Sequence, residues 1–261
     1  MNVLDSFSLK GKVALVVGGT GLYGRQVTSA LAEAGASTYV TTRHKDQLQD
    51  VKQEFKQDES VDIHALYMDQ TKEDTTIKVR DNLLKEHGKI DILVNNAVAR
   101  VMETGWNSDT AQFSQSMEIN ATGMYSVTKI IGNVMYEQKS GSIIQMGSMM
   151  GMIGPDGWLY DEGLKDSPPD YFFHKGGMVN FTKYVASYYG QSNVRCNCIS
   201  PGGIESYRTP PEFVERYNTR TMLNRMANDT DIKGIIVFLA SDTSAYITGA
   251  NIPVDGGYTA K

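Results

Sequence analysis

Two arrangements in this 261-residue chain have the residue types and spacing for chemistry. The first is Gly18-Gly19-Thr20-Gly21-Leu22-Tyr23-Gly24, with glycines at every third place from Gly18. Residues without a Cβ let the backbone turn sharply and come close to a ligand. A helix that starts there adds free N–H groups and the positive end of its dipole. A pyrophosphate suits such a place, and the position after an apolar run and before a helical one fits a dinucleotide loop. The second arrangement is Tyr-x-x-x-Lys. A phenol is a poor base near neutrality, and an ammonium one helix turn away stabilises its phenolate. The spacing occurs twice, as Tyr125/Lys129 and Tyr171/Lys175. Composition alone predicts about one occurrence, and spacing puts either pair on one helix face, so it does not choose between them.

A third clue follows the second apolar run, in Thr41-Thr42-Arg43-His44-Lys45. A carboxylate here would hold the ribose hydroxyls of NAD. Thr42 followed by the cation Arg43 favours a 2′-phosphate instead, so NADP(H) is the expected cofactor and NAD(H) the alternative.

The elements that must position these residues read clearly. Apolar runs at 13–17, 37–41, 63–67, 90–94, 142–146, 194–199 and 251–254 are rich in Val and Ile, as strands buried on both faces are. Helical stretches lie between them at 24–34, 45–57, 73–87, 114–137 and 176–189. The alternation predicts one α/β domain over 1–261, a Rossmann fold. Its doubly wound parallel sheet has about seven strands, with helices on both faces. Two irregular, proline-containing stretches, 152–170 and 201–228, follow strands and are expected to cover a substrate.

Composition narrows the function. Hydrophobic residues are 41% and charged residues 21%, ordinary for a packed soluble domain. The net charge is −5 with no basic block, which argues against a nucleic-acid partner. The apolar runs are too short to span a bilayer, and the first residues do not read as a secretory signal. Cys196 and Cys198, two apart on one strand, share a face and are poorly placed to bridge each other. A reducing, cytoplasmic setting is expected, with no metal site, since no further ligands stand near the cysteines.

Taken in order, the motifs resemble the short-chain dehydrogenase/reductase family from about residue 9 to 258. Asn95-Asn96-Ala97 matches the family's Asn-Asn-Ala-Gly, with Val98 in place of the glycine. Asp69 stands where the family has an Asp that contacts adenine. Asn120 lies in Glu-Ile-Asn-Ala-Thr-Gly, Gly147-Ser148 ends the fifth run, and Ser200-Pro201-Gly202-Gly203-Ile204 ends the sixth. The C-terminal Ile247-Thr248-Gly249 and Val254-Asp255-Gly256-Gly257 complete the pattern. The family's Tyr–Lys pair comes after that serine and before the sixth strand, a place that Tyr171 fills and Tyr125 does not. Two departures stand out. Val17 and Leu22 replace the Thr and middle glycine of the family's most familiar loop, and Ser148 to Tyr171 spans 23 residues, longer than usual.

The resemblance implies a catalytic set of Asn120, Ser148, Tyr171 and Lys175. Tyr171 would exchange a proton with the substrate oxygen, Lys175 would lower its pKa and hold the nicotinamide ribose, and Ser148 would polarise that oxygen. Asn120 would hold a water that links Lys175 to solvent. The implied cofactor contacts are Gly18, Thr20, Gly21, Leu22, Tyr23, Thr42, Arg43, Asp69, Asn96, Ala97, Tyr171, Lys175, Pro201, Gly202 and Ile204. Arg100, Trp158, Tyr160 and Arg208 are the candidate substrate contacts, and His174 reads as structural. Several runs are similar to gluconate 5-dehydrogenase-like members. That implies a secondary alcohol/ketone reaction on a sugar, sugar acid or polyol, and since members of the family are commonly tetramers, a homotetramer is expected. The alternatives are a 3-oxoacyl thioester reductase and a nucleotide-binding regulatory protein without turnover.

Overall fold

The central strands form where nearly every residue faces a covered surface. The computed structural model describes residues 2–55, 61–160, 164 and 167–260. Their strands are β1 (Val13–Val17), β2 (Ser37–Thr42), β3 (Ile63–Tyr67), β4 (Ile92–Asn95), β5 (Gly141–Met146), β6 (Val194–Pro201) and β7 (Asn251–Val254). All are parallel, in the single-sheet order β3-β2-β1-β4-β5-β6-β7. The winding direction reverses between β1 and β4, and the loops leaving those two strands must part around a crevice.

The helices are α1 (Leu22–Glu33), α2 (Leu48–Phe55), α3 (Glu73–His87), α4 (Thr110–Met117), α5 (Met124–Gln138), α6 (Pro169–Tyr189), α7 (Pro211–Arg220) and α8 (Lys233–Ala240). Period-two alternation sends Val13, Leu15 and Val17 of β1 towards α3, α5 and α6, packing with Leu83, Ile131 and Val185. Ala14 and Val16 face the other way, against Val27 and Leu31 of α1 and Ile236 and Leu239 of α8. Each such Val or Leu, wholly withdrawn from water, contributes about 1.5–3 kcal/mol. That explains why the strands read as continuous apolar runs rather than alternating ones.

Local chemistry sets the helix ends. α3 begins with Glu73 and Asp74, ends with Lys85 and His87, and stops at Gly88 with φ of 72°. α6 starts at Pro169, a proline at the first helical position, followed by Asp170. This start is seven residues earlier than the sequence pattern predicts, and it places Tyr171 and Lys175 in the opening turns. The Phe173 ring, packed at 5.6 Å on Phe113 of α4, ties that early part down. The helix expected over 114–137 is broken: α4 and α5 are joined by a π-helical segment, Glu118–Gly123. There Gln70 Nε2 donates to the Ile119 carbonyl at 2.8 Å, so a side chain takes part in the backbone pairing.

The two irregular stretches share a small core of their own. Met149, Leu159, Tyr217, Met226 and Tyr258 pack together beyond the sheet. Arg220 pairs with Asp156 at 2.8 Å and stacks over Trp158 at 4.6 Å, clasping one stretch to the other. Residues 161–163, 165 and 166 of the long insert lie outside the described residues.

Candidate active site

The crevice between β1 and β4 is built by glycines with different jobs. Gly18 has φ of +74°, and a Cβ there would stand 2.6 Å from the Ala97 Cα. Asn96 Nδ2 donates to the Gly18 carbonyl at 2.6 Å, so the loops after β1 and β4 brace each other. A Cβ at Gly19 would meet Val40 at 2.2 Å, and one at Gly24 would meet the Gly18 oxygen at 2.5 Å. Packing therefore demands these three glycines. Gly21 differs: its φ is an ordinary −73°, and a Cβ there meets nothing within 4 Å. It is the N-cap of α1 and brings no side-chain bond to the helix, which leaves the first N–H groups turned to open space. That cradle, which one methyl would partly fill, suits a pyrophosphate.

The cleft holds about 280 Å³ and continues past Thr42, Arg43 and His44 to Asp69, Asn96 and Ala97. Arg43 is exposed at its rim, its Nε 3.3 Å from His44 Nε2. Burial works against the Asp69 carboxylate, but hydrogen bonds from Thr71 and the charge of Lys72 hold it below the usual range. Tyr23 closes the cleft differently: its hydroxyl donates to the Gly202 carbonyl at 2.9 Å, joining the glycine loop to the Pro201-Gly202 turn. Leu22 is exposed, and Ile204 pairs in a short bridge with Ala227.

The catalytic candidates gather at the carboxyl end of β5. Gly147 lets that end lie close to β6, since a Cβ there would come within 2.7 Å of Cys198 Sγ. Ser148 follows, buried, its Oγ accepting the Met150 N–H at 3.1 Å. Gly151 fits against the Lys175 carbonyl, so this turn packs directly on α6. Lys175 is buried, with Nζ donating to the Met146 carbonyl at 2.5 Å and lying 5.7 Å from the Tyr171 ring centre. Burial pushes the Lys175 ammonium below the ordinary lysine range, and Tyr171 opposes that shift. Asn120 sits inside the π-helical segment with its amide wholly engaged, as described below. The other tyrosine of the repeated spacing, Tyr125, is half exposed on α5 and packs at 6.1 Å on Phe181, outside this cluster.

Of the four candidate substrate contacts, the structure brings one, Arg100, to the cluster and sets Tyr160 against Phe213 at 5.7 Å, within the field of that arginine. The Arg100 guanidinium lies 5.0 Å from the Tyr171 ring centre. Burial raises the Tyr160 phenol, and the nearby Arg100 charge pulls the other way, which places the two side chains in one field. Trp158 is half exposed beneath Arg220, and Arg208 is exposed with its Nε on Tyr207.

Sequence reasoning passed over Ser116 and Asp170 as site residues and gave His174 no chemical part. His174 is buried, its ring edge-on to Tyr171 at 5.4 Å. Burial, then Lys175 and Arg100, push it down to about 3, so it stays neutral. Neither of its ring nitrogens meets a hydrogen-bond partner among the described residues. The spacing of Asp170 and His174, four apart on either side of Tyr171, was the available signal. Among the described residues no three His, Cys, Asp or Glu side chains converge as metal ligands.

Comparison with known proteins bears on this geometry. A family model described as enoyl-(acyl carrier protein) reductase matches residues 22–259. The chain is 32% identical over 263 residues to 2-dehydro-3-deoxy-D-gluconate 5-dehydrogenase of Bacillus subtilis, covering 98% of each chain. It is 30% identical over 260 residues to a 3-oxoacyl-[acyl-carrier-protein] reductase of Thermotoga maritima, covering 95% of this chain and 98% of the relative. The crystal structure of a gluconate 5-dehydrogenase from Burkholderia cenocepacia with NADP and tartrate superposes with a TM-score of 0.87. It is 25% identical, with both chains fully covered.

Proposed function

The chain belongs to the short-chain dehydrogenase/reductase family, and from that premise we propose that it interconverts a secondary alcohol and a ketone on a sugar acid, using NADP(H). The carrying observation is the buried Lys175 ammonium 5.7 Å from the Tyr171 ring, with a cleft that runs from the unfilled Gly21 cradle to Ala99, the residue before the Arg100 that lies at that ring. The glycine loop and the N-terminus of α1 would hold the pyrophosphate, Asp69 the adenine and Lys175 the nicotinamide ribose. When bound, the nicotinamide supplies or takes the hydride. In ketone reduction Tyr171 gives its phenolic proton to the developing alkoxide. The Lys175 charge stabilises the resulting phenolate, and Ser148 donates a hydrogen bond to the same oxygen. The family resemblance gives Asn120 a water that would link Lys175 to solvent, although its side-chain amide is already engaged by Ala99 and Ser116.

Two features bear on the substrate. Arg100 stands at the Tyr171 ring with its five-donor fork at the mouth of the site, where a carboxylate can meet it. An apolar groove of about 670 Å³ near the start of α6 is lined by Met150 and Gly151, just after Ser148, and by Pro169 and Phe172. It is the surface on which an acyl chain would lie in the thioester alternative. Exposed Arg43 beside Thr42 favours the 2′-phosphate of NADP(H) over the hydroxyls of NAD(H). The family resemblance supports a homotetramer, and exposed Phe173, Tyr184 and Tyr188 on α6 offer apolar surface for it. No helix of the described residues is long and apolar enough to cross a membrane. A cytoplasmic location rests on the sequence alone.

The test is a fluorescence titration with NADPH and NADH. Turnover follows, read from reduced-nicotinamide absorbance, with gluconate and 5-ketogluconate, with ketoses, and with acetoacetyl thioesters. Turnover of a sugar acid with NADPH is expected. It should fall at least about 100-fold in Tyr171→Phe and persist in Tyr125→Phe. Preference for the thioester would replace the sugar-acid reading, and tight binding with no turnover of any class would favour a regulatory role. Light scattering at the monomer mass would refute the tetramer.

A further inference from the structure

Behind Tyr171 runs a buried chain of hydrogen bonds whose sense can be read atom by atom. Asn120 Oδ1 accepts the Ala99 N–H at 2.8 Å, and Nδ2 donates to the Ala99 carbonyl at 2.8 Å. Turning the amide over would set donor against donor and acceptor against acceptor, so its orientation is fixed. Nδ2 also donates to Ser116 Oγ at 3.0 Å. The Ser116 hydroxyl proton must then point elsewhere, and it goes to Asp170 Oδ2. Ser116, Asn120 and Asp170 are at most 2% exposed. The chain therefore runs from Asn120 through Ser116 and ends on a carboxylate immediately before Tyr171.

Asp170 has an ordinary explanation to overcome. An acid in the first turn of a helix is favoured by the dipole. Among the described residues, however, the Asp170 side chain takes no bond from the free N–H groups of α6. It reaches across to α4 instead, and Oδ1 meets no partner. Buried polar groups are normally paired, and a half-paired carboxylate on the residue before Tyr171 calls for a reason. The far end of the chain supplies one: Ala99 precedes Arg100, whose guanidinium lies 5.0 Å from the Tyr171 ring.

We propose that Asp170 is a positioning residue. By taking the Ser116 hydroxyl proton it holds the Asn120 amide on Ala99, and so keeps Arg100 at the Tyr171 ring, where the substrate's carboxylate binds. This rests on the reading of Tyr171 and Arg100 given above. Asp170→Asn keeps an acceptor oxygen for Ser116, whereas Asp170→Ala and Ser116→Ala break the chain at neighbouring links.

Two measurements on the full-length protein test it. Hydrogen exchange at the Ala99 amide should quicken about tenfold or more in Asp170→Ala and in Ser116→Ala, and stay within about threefold of the parent in Asp170→Asn. The KM for the sugar acid should rise about tenfold in the two breaking variants while NADPH affinity stays within about twofold, a split that general loosening would not give. The double variant should be no worse than either single one, because both cut the same chain. Unchanged Ala99 exchange in both breaking variants overturns the inference, as does a double variant whose defects add. Ser116→Ala, which removes only a hydroxyl, carries the test if Asp170→Ala does not fold. Full turnover in Tyr171→Phe would sink the functional reading and leave the exchange result to stand by itself. Loss of turnover in Tyr171→Phe with unchanged Ala99 exchange would sink only the role of Asp170.

Discussion

Gly18 and Gly21 sit three residues apart in one loop, and the structure predicts opposite outcomes when each becomes alanine. At Gly18 a side chain must take a φ of +74° and push its Cβ to within 2.6 Å of the Ala97 backbone. The left-handed conformation costs about 1–2 kcal/mol and the overlap about 1–3 more. For a chain of this length that lowers Tm by about 4–20 °C, at roughly 2–4 °C per kcal/mol. At Gly21 the backbone is ordinary and the space is open. Alanine is a poorer N-cap than glycine by about 1 kcal/mol or less, and the stiffer unfolded chain offsets part of that. Tm should move by no more than about 3 °C. The new methyl nevertheless stands in the cradle at the start of α1, so the NADPH Kd should rise at least about tenfold, or 1.4 kcal/mol. Thermal melts and fluorescence titrations on the two variants decide the matter. Gly21→Ala binding NADPH within about twofold of the parent would mean that the cradle does not hold the pyrophosphate.

Acid should weaken the fold through His174. Its folded pKa of about 3 lies below the ordinary 6.5, so the unfolded chain takes up the proton first. Stability is complete above 6.5 and declines as pH falls towards 3, by about 1.3 kcal/mol between about pH 7.5 and about pH 5.5. Urea melts at several pH values should show this slope, and it should vanish in His174→Gln; an equal slope in the variant would assign the loss to other groups. Arg43→Ala should raise the NADPH Kd about tenfold and leave NADH binding unchanged, whereas equal weakening of both would remove Arg43 from the 2′-phosphate. Cutting the clasp between the irregular stretches with Arg220→Ala should make backbone amides near Trp158 exchange faster, while the sheet amides keep their protection. Unchanged exchange at 157–160 would show that the small apolar core alone holds them.

The strands, the glycine loop and the order of the motifs could be read in the sequence because each is a local pattern. A strand covered on both faces needs an apolar residue at every step, as 13–17 has; the edge runs 63–67 and 251–254 are only partly covered, and all three match the observed strands end for end. A glycine loop between a strand and a helix shows in seven consecutive residues. What tertiary structure decided depends on atoms distant in the chain. Gly18 and Gly21 look alike in sequence, and the fold distinguishes them by the φ of +74° at Gly18 and by Ala97, the neighbour that a Cβ there would strike. Tyr125 and Tyr171 carry the same spacing, and packing separates them: Tyr171 meets Lys175 and Arg100, while Tyr125 meets Phe181. Arg100 and Arg208 were equal candidates until the loop after β4 brought one to the Tyr171 ring and left the other in solvent. Asp170 reads as a helix-starting acid, and its bond to Ser116, 54 residues away, exists only because α4 packs on α6. Backbone preference acts over a few residues, whereas a buried hydrogen bond depends on partners that only the folded chain brings within reach.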